Sequence, residues 1–585
     1  MAAKVVSVRF SRDGNADGVP LLKDTEYQVS VDDGPREPFH SPWDEDELSS
    51  VVDQLRNTTD EKPDLSVLRQ LGRELSDALK AATSITSTIR KDAPSTIHWQ
   101  LDFPELSAIP WELAIWWIEP RRHILLEDDF ALVRSVPLFD PRRDTRWPTG
   151  KEKGLRLLFA WGEDEHLGEQ MRVPHKEHQA ALAKACEANG VDFEPRNIGT
   201  ATALGEAVEE LSPDLVHILA HGAKASDGAW GLQLSDEVAT GEQVARALRT
   251  GDLTPAFCSV AACDSAGEIT NDFSSVAYRL HAHGVPMVLA SQFRLRKRVS
   301  NLSVARVYDG LLAGDHPLSV LGGLRKILST ESNEAWANEV LYSTYPDAEL
   351  DDGVRSARQQ AALRRARMLN KRYSESPSDD AKSRAINELR DQSERLHDIV
   401  EERFDLAETW GLIGSMRRRI AYIDGIDGVP DEEALREAQV AYEEGLQSDL
   451  NSHYCGINAL HLSWLTGRQP KIDQITAIVD YAISAARKND PDDYWIDASS
   501  GEAAVYRGER EVALDSYRAF KAANDKAVDD PEIRKEHLYA AKRQMDQLVD
   551  GLGRRPHDRS ADQVIEAAQA VVSYLDGAIA RTGQD

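Results

Sequence analysis

Between residues 154 and 292 the sequence alternates short apolar runs with amphipathic segments, and this alternation restricts the fold more than any other feature. The apolar runs have the length of strands and are continuously hydrophobic, which is typical of strands covered by helices on both sheet faces. The four runs are GLRLLFAW (154–161), DLVHILAHG (214–222), AFCSVAAC (256–263) and VPMVLASQ (285–292). Strands that alternate with helices predict a doubly wound, mostly parallel α/β sheet.

The segments between these runs carry helix signals. Residues 175–190 form an amphipathic pattern that stops at Gly190, a residue suited to the left-handed end of a helix. We expect Thr202 to cap the next helix, which Pro213 ends, and Thr240 to open the helix after it. Residues 272–284 predict a further helix before the last strand.

The two ends of the chain follow different patterns. Residues 1–50 predict short strands with turns, and the leucines between 47 and 90 recur at helical spacing, so a small α+β region precedes the sheet. A proline- and arginine-rich stretch at 140–154 predicts a linker or long loop. After about residue 352 the pattern is all-helical. We therefore expect three parts, with bounds 1–94, 95–350 and 351–585.

Small and aromatic residues repeat within the helical part. They recur in the segments 407–423, 454–468 and 497–520, with the rhythm of helix–turn–helix repeats. Paired helices of this kind stack into a solenoid whose concave groove usually binds proteins or peptides. The third part of the chain is therefore expected to be an all-α repeat domain for protein interaction.

Composition excludes several classes of function. Asp and Glu outnumber Lys and Arg by 99 to 69, a formal charge of -30, so direct binding of nucleic acid or of anionic membranes is not expected. No run of about 20 apolar residues exists, and the first residues lack the apolar core of a signal peptide. The four scattered cysteines do not form a disulfide framework, which favours a reducing, cytoplasmic location.

Two of the predicted strands end in residues that can perform chemistry. One run ends at His221-Gly222 and another at Cys263-Asp264. Carboxyl ends of parallel strands share one edge of a sheet, so a thiol and an imidazole would meet there if the strands are neighbours. Cys263 would then be a nucleophile and His221 its base. Gly222, with an unobstructed N–H, would help to bind the oxyanion.

Other interpretations of these residues compete. A cysteine or histidine after an apolar strand is often a packed core residue, and Cys258 and His217, which lie inside their strands, are expected to pack. His217 and His221 have the spacing of a metal pair, but such pairs suit a helix and no third ligand is evident. We expect neither a metal nor another cofactor.

With these residues in view, the middle of the chain resembles the CHAT domain, a caspase-like peptidase domain related to separases and caspases. The resemblance covers roughly 95–345 and includes the lead-in segments IPWELAI and FALVRSVP, the His221 and Cys263 strand ends, and the closing segment WANEVLYS. It implies that Cys263 and His221 form a catalytic dyad in a cysteine endopeptidase. A protein substrate would bind in extended form.

The resemblance leaves substrate preference open. Relatives that cleave after basic residues often have an acidic residue just before the nucleophile, whereas Ala261 and Ala262 precede Cys263. Asp264 and Asp227 are candidates for negative charge near the substrate, although turn or cap roles also fit them. The strand at Ser291 and Gln292 resembles the one that pairs with extended substrate in caspases.

The helical part resembles the tetratricopeptide-type, TRAFs-binding region of apoptosis signal-regulating kinases. This implies that it binds an activator, a substrate or another copy of the chain. Prokaryotic proteins that pair such a peptidase with repeats tend to belong to defence or cell-death systems, and this role is expected by resemblance alone. The main alternative is a catalytically silent scaffold that assembles partners. A nucleotide switch is disfavoured because no phosphate-binding loop has the required glycine and lysine spacing.

Overall fold

A computed structural model of the chain describes residues 5–12, 25–44, 46–48, 50, 65–80, 82–92, 96–114, 125, 130–139, 146–148, 154–162, 173–226, 229–250, 254–262, 275–292, 296–331, 335–403, 406–426, 429–528, 531–554 and 559–582. The chain divides into two compact units, residues 1–361 and 362–585. The three-part division expected from the sequence stays a prediction.

The first unit is built on a large mixed sheet. Its strands are β1 (Val5–Ser11), β2 (Glu26–Val31), β3 (Glu37–His40), β4 (Thr96–Leu101), β5 (Ala131–Ser135), β6 (Arg156–Trp161), β7 (Asp192–Asn197), β8 (Leu215–Leu219), β12 (Phe257–Ala261), β13 (Met287–Ser291) and β14 (Glu339–Ser343). A separate small sheet contains β9 (His221–Lys224), β10 (Trp230–Gln233) and β11 (Val238–Thr240).

The strand order of the large sheet is β3-β2-β1-β4-β5-β14-β13-β12-β8-β6-β7. Pairing is parallel throughout except at β2–β3, β1–β2 and β13–β14. The predicted α/β sheet is confirmed as mostly parallel. The amino-terminal strands join it directly, because β1 pairs with β4 along its length.

Helices cover both faces of this sheet. They are α1 (Leu65–Leu79), α2 (Thr83–Asp92), α3 (His175–Asn189), α4 (Ala201–Leu211), α5 (Gly241–Leu248), α6 (Val276–Ala282), α7 (Lys297–Leu312) and α8 (Pro317–Glu331). Helix α7 packs against α3 and α8, whereas α5 packs against α4 and α6. The α7 group and the α5 group lie on opposite faces of strand β14. Glu339 accepts a hydrogen bond from Ser303 in α7, whereas the Tyr342 ring packs against His281 in α6.

Aromatic side chains fill the core beside β1 and β4. Phe10, Trp99 and Trp111 are fully buried, and their ring centroids lie 4.7 to 5.3 Å apart. Pairs of rings at this separation add to the free energy that burial of their apolar surface already supplies. This cluster joins the amino-terminal strands to the rest of the sheet through one core.

Two of the predicted helix ends are confirmed. Gly190 ends α3 in the left-handed conformation, and Thr240 opens α5 with a reciprocal capping box. The prediction that Thr202 caps α4 is wrong. Thr200 is the cap, because its backbone is extended and its hydroxyl accepts the Ala203 N–H at 3.1 Å.

The second unit is all-helical, as expected. Following α9 (Asp347–Glu375), which crosses the boundary between the units, its helices are α10 (Asp379–Glu402), α11 (Ala407–Asp424), α12 (Glu432–Ser448), α13 (His453–Thr466), α14 (Gln469–Asn489), α15 (Trp495–Tyr506), α16 (Arg510–Ala527), α17 (Pro531–Gly553) and α18 (Arg559–Arg581). Consecutive helices pack together, and α13 also contacts α11, α15 and α17. Within the described residues, none of the helices combines the length and apolarity needed to cross a membrane.

A buried polar network joins four helices of the second unit. Arg418 in α11 donates to Asn458 Oδ1 in α13 at 2.9 Å and to Gln544 Oε1 in α17 at 3.2 Å. Gln544 Nε2 in turn donates to Glu502 Oε2 in α15 at 2.8 Å. Burial raises the pKa of Glu502 to about 8, although the Arg418 cation opposes this shift. The network fixes how these helices pack against one another.

Candidate active site

The two strands that lead to the predicted dyad are neighbours. β8 and β12 pair in parallel, with Leu219 level with Ala261, and Ala220 N–H donates to the Ala261 carbonyl at 3.4 Å. Both strands are apolar and almost fully buried, which is why the sequence shows them as continuous hydrophobic runs. The expectation that they share one carboxyl edge is confirmed.

The structure places His221 differently from the sequence prediction. The strand predicted over 214–222 ends at Leu219, and after Ala220 the chain enters the small sheet. His221 is therefore the first residue of β9, where it lies opposite Gln233 of β10. Its side chain is half-buried. The chain therefore leaves the large sheet between Leu219 and His221.

Gly222 follows His221 on the same short strand. It lies opposite Leu232 in the antiparallel pair of β9 with β10. Within the described residues, β10 is the only partner of β9, so β9 is an edge strand of the small sheet. An edge strand presents backbone groups that a ligand can pair with.

Three of the predicted site residues lie outside the described residues, namely Cys263, Asp264 and Asp227. Strand β12 ends at Ala261, and Ala262, which is buried, directly precedes Cys263 in the sequence. The roles predicted for these three residues stay predictions.

Ser291 and Gln292, which are predicted to contact an extended substrate, lie at the end of β13. Both side chains are buried, with exposed fractions of 1% and 2%. Strand β13 pairs with β12 on one edge and with β14 on the other, and Gln292 N–H continues the second ladder by donating to the Asn338 carbonyl at 2.9 Å. The pairing of β13 with β12 ends at Val260 and Ala290, before these two residues, and the substrate contact of Ser291 and Gln292 stays a prediction.

The two residues expected to pack inside their strands do so. Cys258 is fully buried, and burial raises the pKa of its thiol well above the ordinary range, which makes it inert. His217 is also buried, its Nε2 lies 3.0 Å from Nδ1 of His178, and His178 Nε2 lies 2.9 Å from the Ser300 hydroxyl. Burial lowers the pKa of both imidazoles, that of His178 to about 4. They are neutral core groups at physiological pH.

A buried ion pair near the site was not foreseen. Arg134 in β5 makes two hydrogen bonds to Glu112, and it also donates to the Ser107 carbonyl at 2.9 Å and to Gln292 Oε1 at 3.3 Å. Gln292 Nε2 donates in turn to the Ala337 carbonyl. Gln292 thus connects the end of β13 to this pair. The signal available in the sequence was a single charge inside each of two apolar segments, IPWELAI and FALVRSVP.

The comparison with protein families agrees with this architecture. A family model for the CHAT domain matches residues 67–342, from α1 to β14, and so includes β8, β12 and His221. The chain carries a CHAT domain. A second family model, Tetratricopeptide Repeats-Sensor, matches residues 333–463 and ends within α13. No curated protein matches the chain.

These matches support two coarse conclusions about function. A CHAT domain has a caspase-like fold that serves as a peptidase or as a scaffold. The repeat domain that follows it indicates binding to other proteins. The resemblance on which the sequence interpretation rested is therefore confirmed in both parts and in the same order along the chain.

Proposed function

We propose that the chain is a cysteine endopeptidase in which Cys263 is the nucleophile and His221 the base. The observation that carries this proposal is the parallel pairing of β8 with β12, level at Leu219 and Ala261. His221 comes two residues after Leu219, and Cys263 comes two residues after Ala261. Covalent geometry keeps consecutive Cα atoms about 3.8 Å apart, so both residues start from the same edge of the sheet.

The chemistry follows that of thiol acyl transfer. The Cys263 sulfur attacks the carbonyl carbon of the scissile peptide bond while His221 takes up the thiol proton. His221 then protonates the leaving amine as the C–N bond breaks, which leaves a thioester. A water molecule, deprotonated by His221, hydrolyses the thioester and restores the thiol.

The backbone completes the site. The N–H of Gly222, on the edge strand β9, and the N–H of Cys263 would donate to the oxyanion that forms during each attack. Each such donor typically contributes a factor of about 10² to 10³ in rate. Asp227 and Asp264 would add negative charge near the substrate.

The helical unit would confer regulation. We propose that it binds an activating protein, the substrate or another copy of the chain, and that cleavage serves a prokaryotic defence or cell-death pathway in the cytoplasm. The four helices that the Arg418 network joins would provide a rigid surface for this.

A peptide carrying an irreversible thiol-reactive group tests the proposal. It should label wild-type protein at Cys263, and the label should be lost in Cys263→Ala and greatly slowed in His221→Ala. Cys258→Ala is the matched control, because that thiol is buried in β12, five residues before Cys263 in the sequence, and labelling should persist in this variant. If Cys263 is not selectively labelled, even after the proteins encoded by neighbouring genes are added, the result would favour the silent scaffold.

A further inference from the structure

Two consecutive arginines of the second unit carry charge that no described acidic side chain pairs with. Arg418 and Arg419 lie in α11, and both side chains are partly buried. The guanidinium of Arg418 donates to the side-chain oxygens of Asn458 and Gln544, which are neutral acceptors. Among the residues that the structure describes, neither arginine belongs to an ion pair. Their positive charges are therefore hydrogen-bonded in part but not neutralised.

The carboxyl group of Glu502 belongs to the same network but supplies little negative charge. Gln544 links it to Arg418, because Gln544 Nε2 donates to Glu502 Oε2 at 2.8 Å. Burial raises the pKa of Glu502 to about 8, so this carboxyl group is mostly protonated at pH 7. Arg418 thus retains most of its charge without compensation from this residue.

Arg419 has an unmet requirement for a partner. Its Nη1 is buried and, within the described part of the chain, makes no hydrogen bond. Burial lowers the pKa of Arg419 to about 10, and the nearby cations Arg418 and Arg367 add to this effect. A buried donor that lacks an acceptor costs free energy, and a charged donor costs more than a neutral one. An anion bound here would remove this cost.

The surroundings of Arg419 include side chains that reach solvent. Arg367 in α9 and Tyr454 in α13 both lie close enough to act on its charge, and both are exposed, Tyr454 with 42% of its surface. The Tyr454 ring lies against α11, since a Cβ built on Gly411 would be 2.7 Å from its Cε1. Gly411 and Arg418 are seven residues apart and share one face of the helix. A ligand that contacts Tyr454 is therefore beside the arginines.

We propose that the arginine cluster, defined as Arg367, Arg418 and Arg419, binds a segment of a partner protein that is rich in aspartate or glutamate. The inference rests on the proposed function, in which the helical unit binds a partner, and specifies the chemistry of that partner. A planar guanidinium presents paired N–H donors that match the two oxygens of a carboxylate. A bound carboxylate would accept from Arg419 Nη1 and supply the missing negative charge.

Two observations favour an acidic protein segment over other anions. All three arginines lie within residues 333–463, the part of the chain that matches the repeat-domain model and indicates binding to proteins. The chain as a whole has a formal charge of -30, which repels a long polyanion such as nucleic acid more strongly than a short acidic segment.

Isothermal titration calorimetry with the full-length protein tests the inference. The probe is an acetylated and amidated hexapeptide of alternating aspartate and glutamate, and the control peptide has asparagine and glutamine in their place. At low ionic strength the acidic peptide should bind and the neutral peptide should not. Added salt should weaken the binding, because screening reduces the attraction between exposed charges.

Removing the charge of Arg419 should weaken this binding without loss of stability. Arg419→Met keeps the apolar stem of the side chain, and it should weaken binding of the acidic peptide at least tenfold, since hydrogen bonds between ionised groups are about twice as strong as neutral ones. The Tm of the helical unit should not fall, because the charge that is removed has no ion-pair partner among the described residues.

A second variant and a matched control make the test specific to the cluster. Arg367→Gln, at an exposed position where folding is not at risk, should also weaken binding of the acidic peptide. Arg436→Gln is the control, because Arg436 is an exposed arginine of α12 that already pairs with Glu432 at 2.8 Å. It should leave the binding unchanged.

The outcomes separate this inference from the peptidase assignment. Equal binding of the two peptides, or unchanged binding of the acidic peptide in both Arg419→Met and Arg367→Gln, overturns the inference. Tighter binding of inorganic phosphate than of the acidic peptide at these arginines overturns the choice of a carboxylate. Labelling of Cys263 by the thiol-reactive peptide is measured independently, so its failure overturns the assignment and not the binding of acidic segments.

Discussion

Replacing Arg134 by methionine is expected to destabilise the first unit strongly. Arg134 and Glu112 are both fully buried, and they are joined by two hydrogen bonds, one from Nε to Oε1 at 3.1 Å and one from Nη2 to Oε2. The substitution leaves the Glu112 carboxylate without its cation in the interior. Breaking a buried ion pair from one side typically costs about 3–5 kcal/mol, most of which is the cost of the uncompensated charge.

The same reasoning predicts that a second substitution restores stability. In the double variant Arg134→Met with Glu112→Leu, neither member of this pair is left without its partner, and the buried Arg325 nearby keeps Glu339 as a counter-charge. We therefore expect at least about 2 kcal/mol to be recovered relative to Arg134→Met alone. The remaining loss reflects the Ser107 carbonyl and the Gln292 amide, which lose their donor.

Hydrogen exchange of the β5 peptide in graded urea measures these changes within the full chain. It reports the opening free energy of the strand that carries Arg134, independently of the helical unit. A loss below about 1 kcal/mol for Arg134→Met, or a double variant less stable than the single one, would refute the account of this pair.

Three further predictions concern other parts of the structure. In thermal unfolding, Thr200→Ala should lower the free energy of unfolding by about 0.5–2 kcal/mol because α4 loses its cap. Thr202→Ala, measured in the same way, should be nearly neutral. The raised pKa of Glu502 means that its ionisation costs stability as the pH rises from about 4.5 to about 8, by up to roughly 4–5 kcal/mol. Glu502→Gln should therefore flatten the fall in Tm of the helical unit over this range, and an unchanged pH profile would count against it. Cys258 should resist alkylation in the native state and react only on unfolding, which peptide mapping after iodoacetamide treatment can show.

The sheet and its neighbouring strands could be predicted from the sequence because local hydrophobic patterns determine them. Continuous apolar runs such as Leu215–Leu219 and Phe257–Ala261 indicate buried parallel strands, and glycine or threonine signals place helix ends to within one or two residues. The choice of Thr202 over Thr200 failed because both residues have cap chemistry and only the backbone conformation separates them.

The details of the site depend on contacts between distant segments, which local patterns do not encode. His221 follows β8 without a break in the sequence pattern, yet it pairs with Gln233 in a different sheet. Gln292 is predicted to contact substrate because its strand resembles one in caspases, and its hydrogen bonds to Arg134 and Ala337, which come from other parts of the chain, could not be read from that resemblance.

The central claim, that Cys263 and His221 act as a pair, is tested most directly by the rate at which iodoacetamide alkylates Cys263 in the full-length protein. A thiol beside an imidazole reacts as a thiolate at lower pH than an isolated thiol, whose pKa is about 8.5. We predict that His221→Ala slows alkylation of Cys263 at pH 7 at least tenfold, while His217→Ala, a change at a buried core histidine, slows it far less. Equal alkylation rates in the wild type and in His221→Ala would contradict the account.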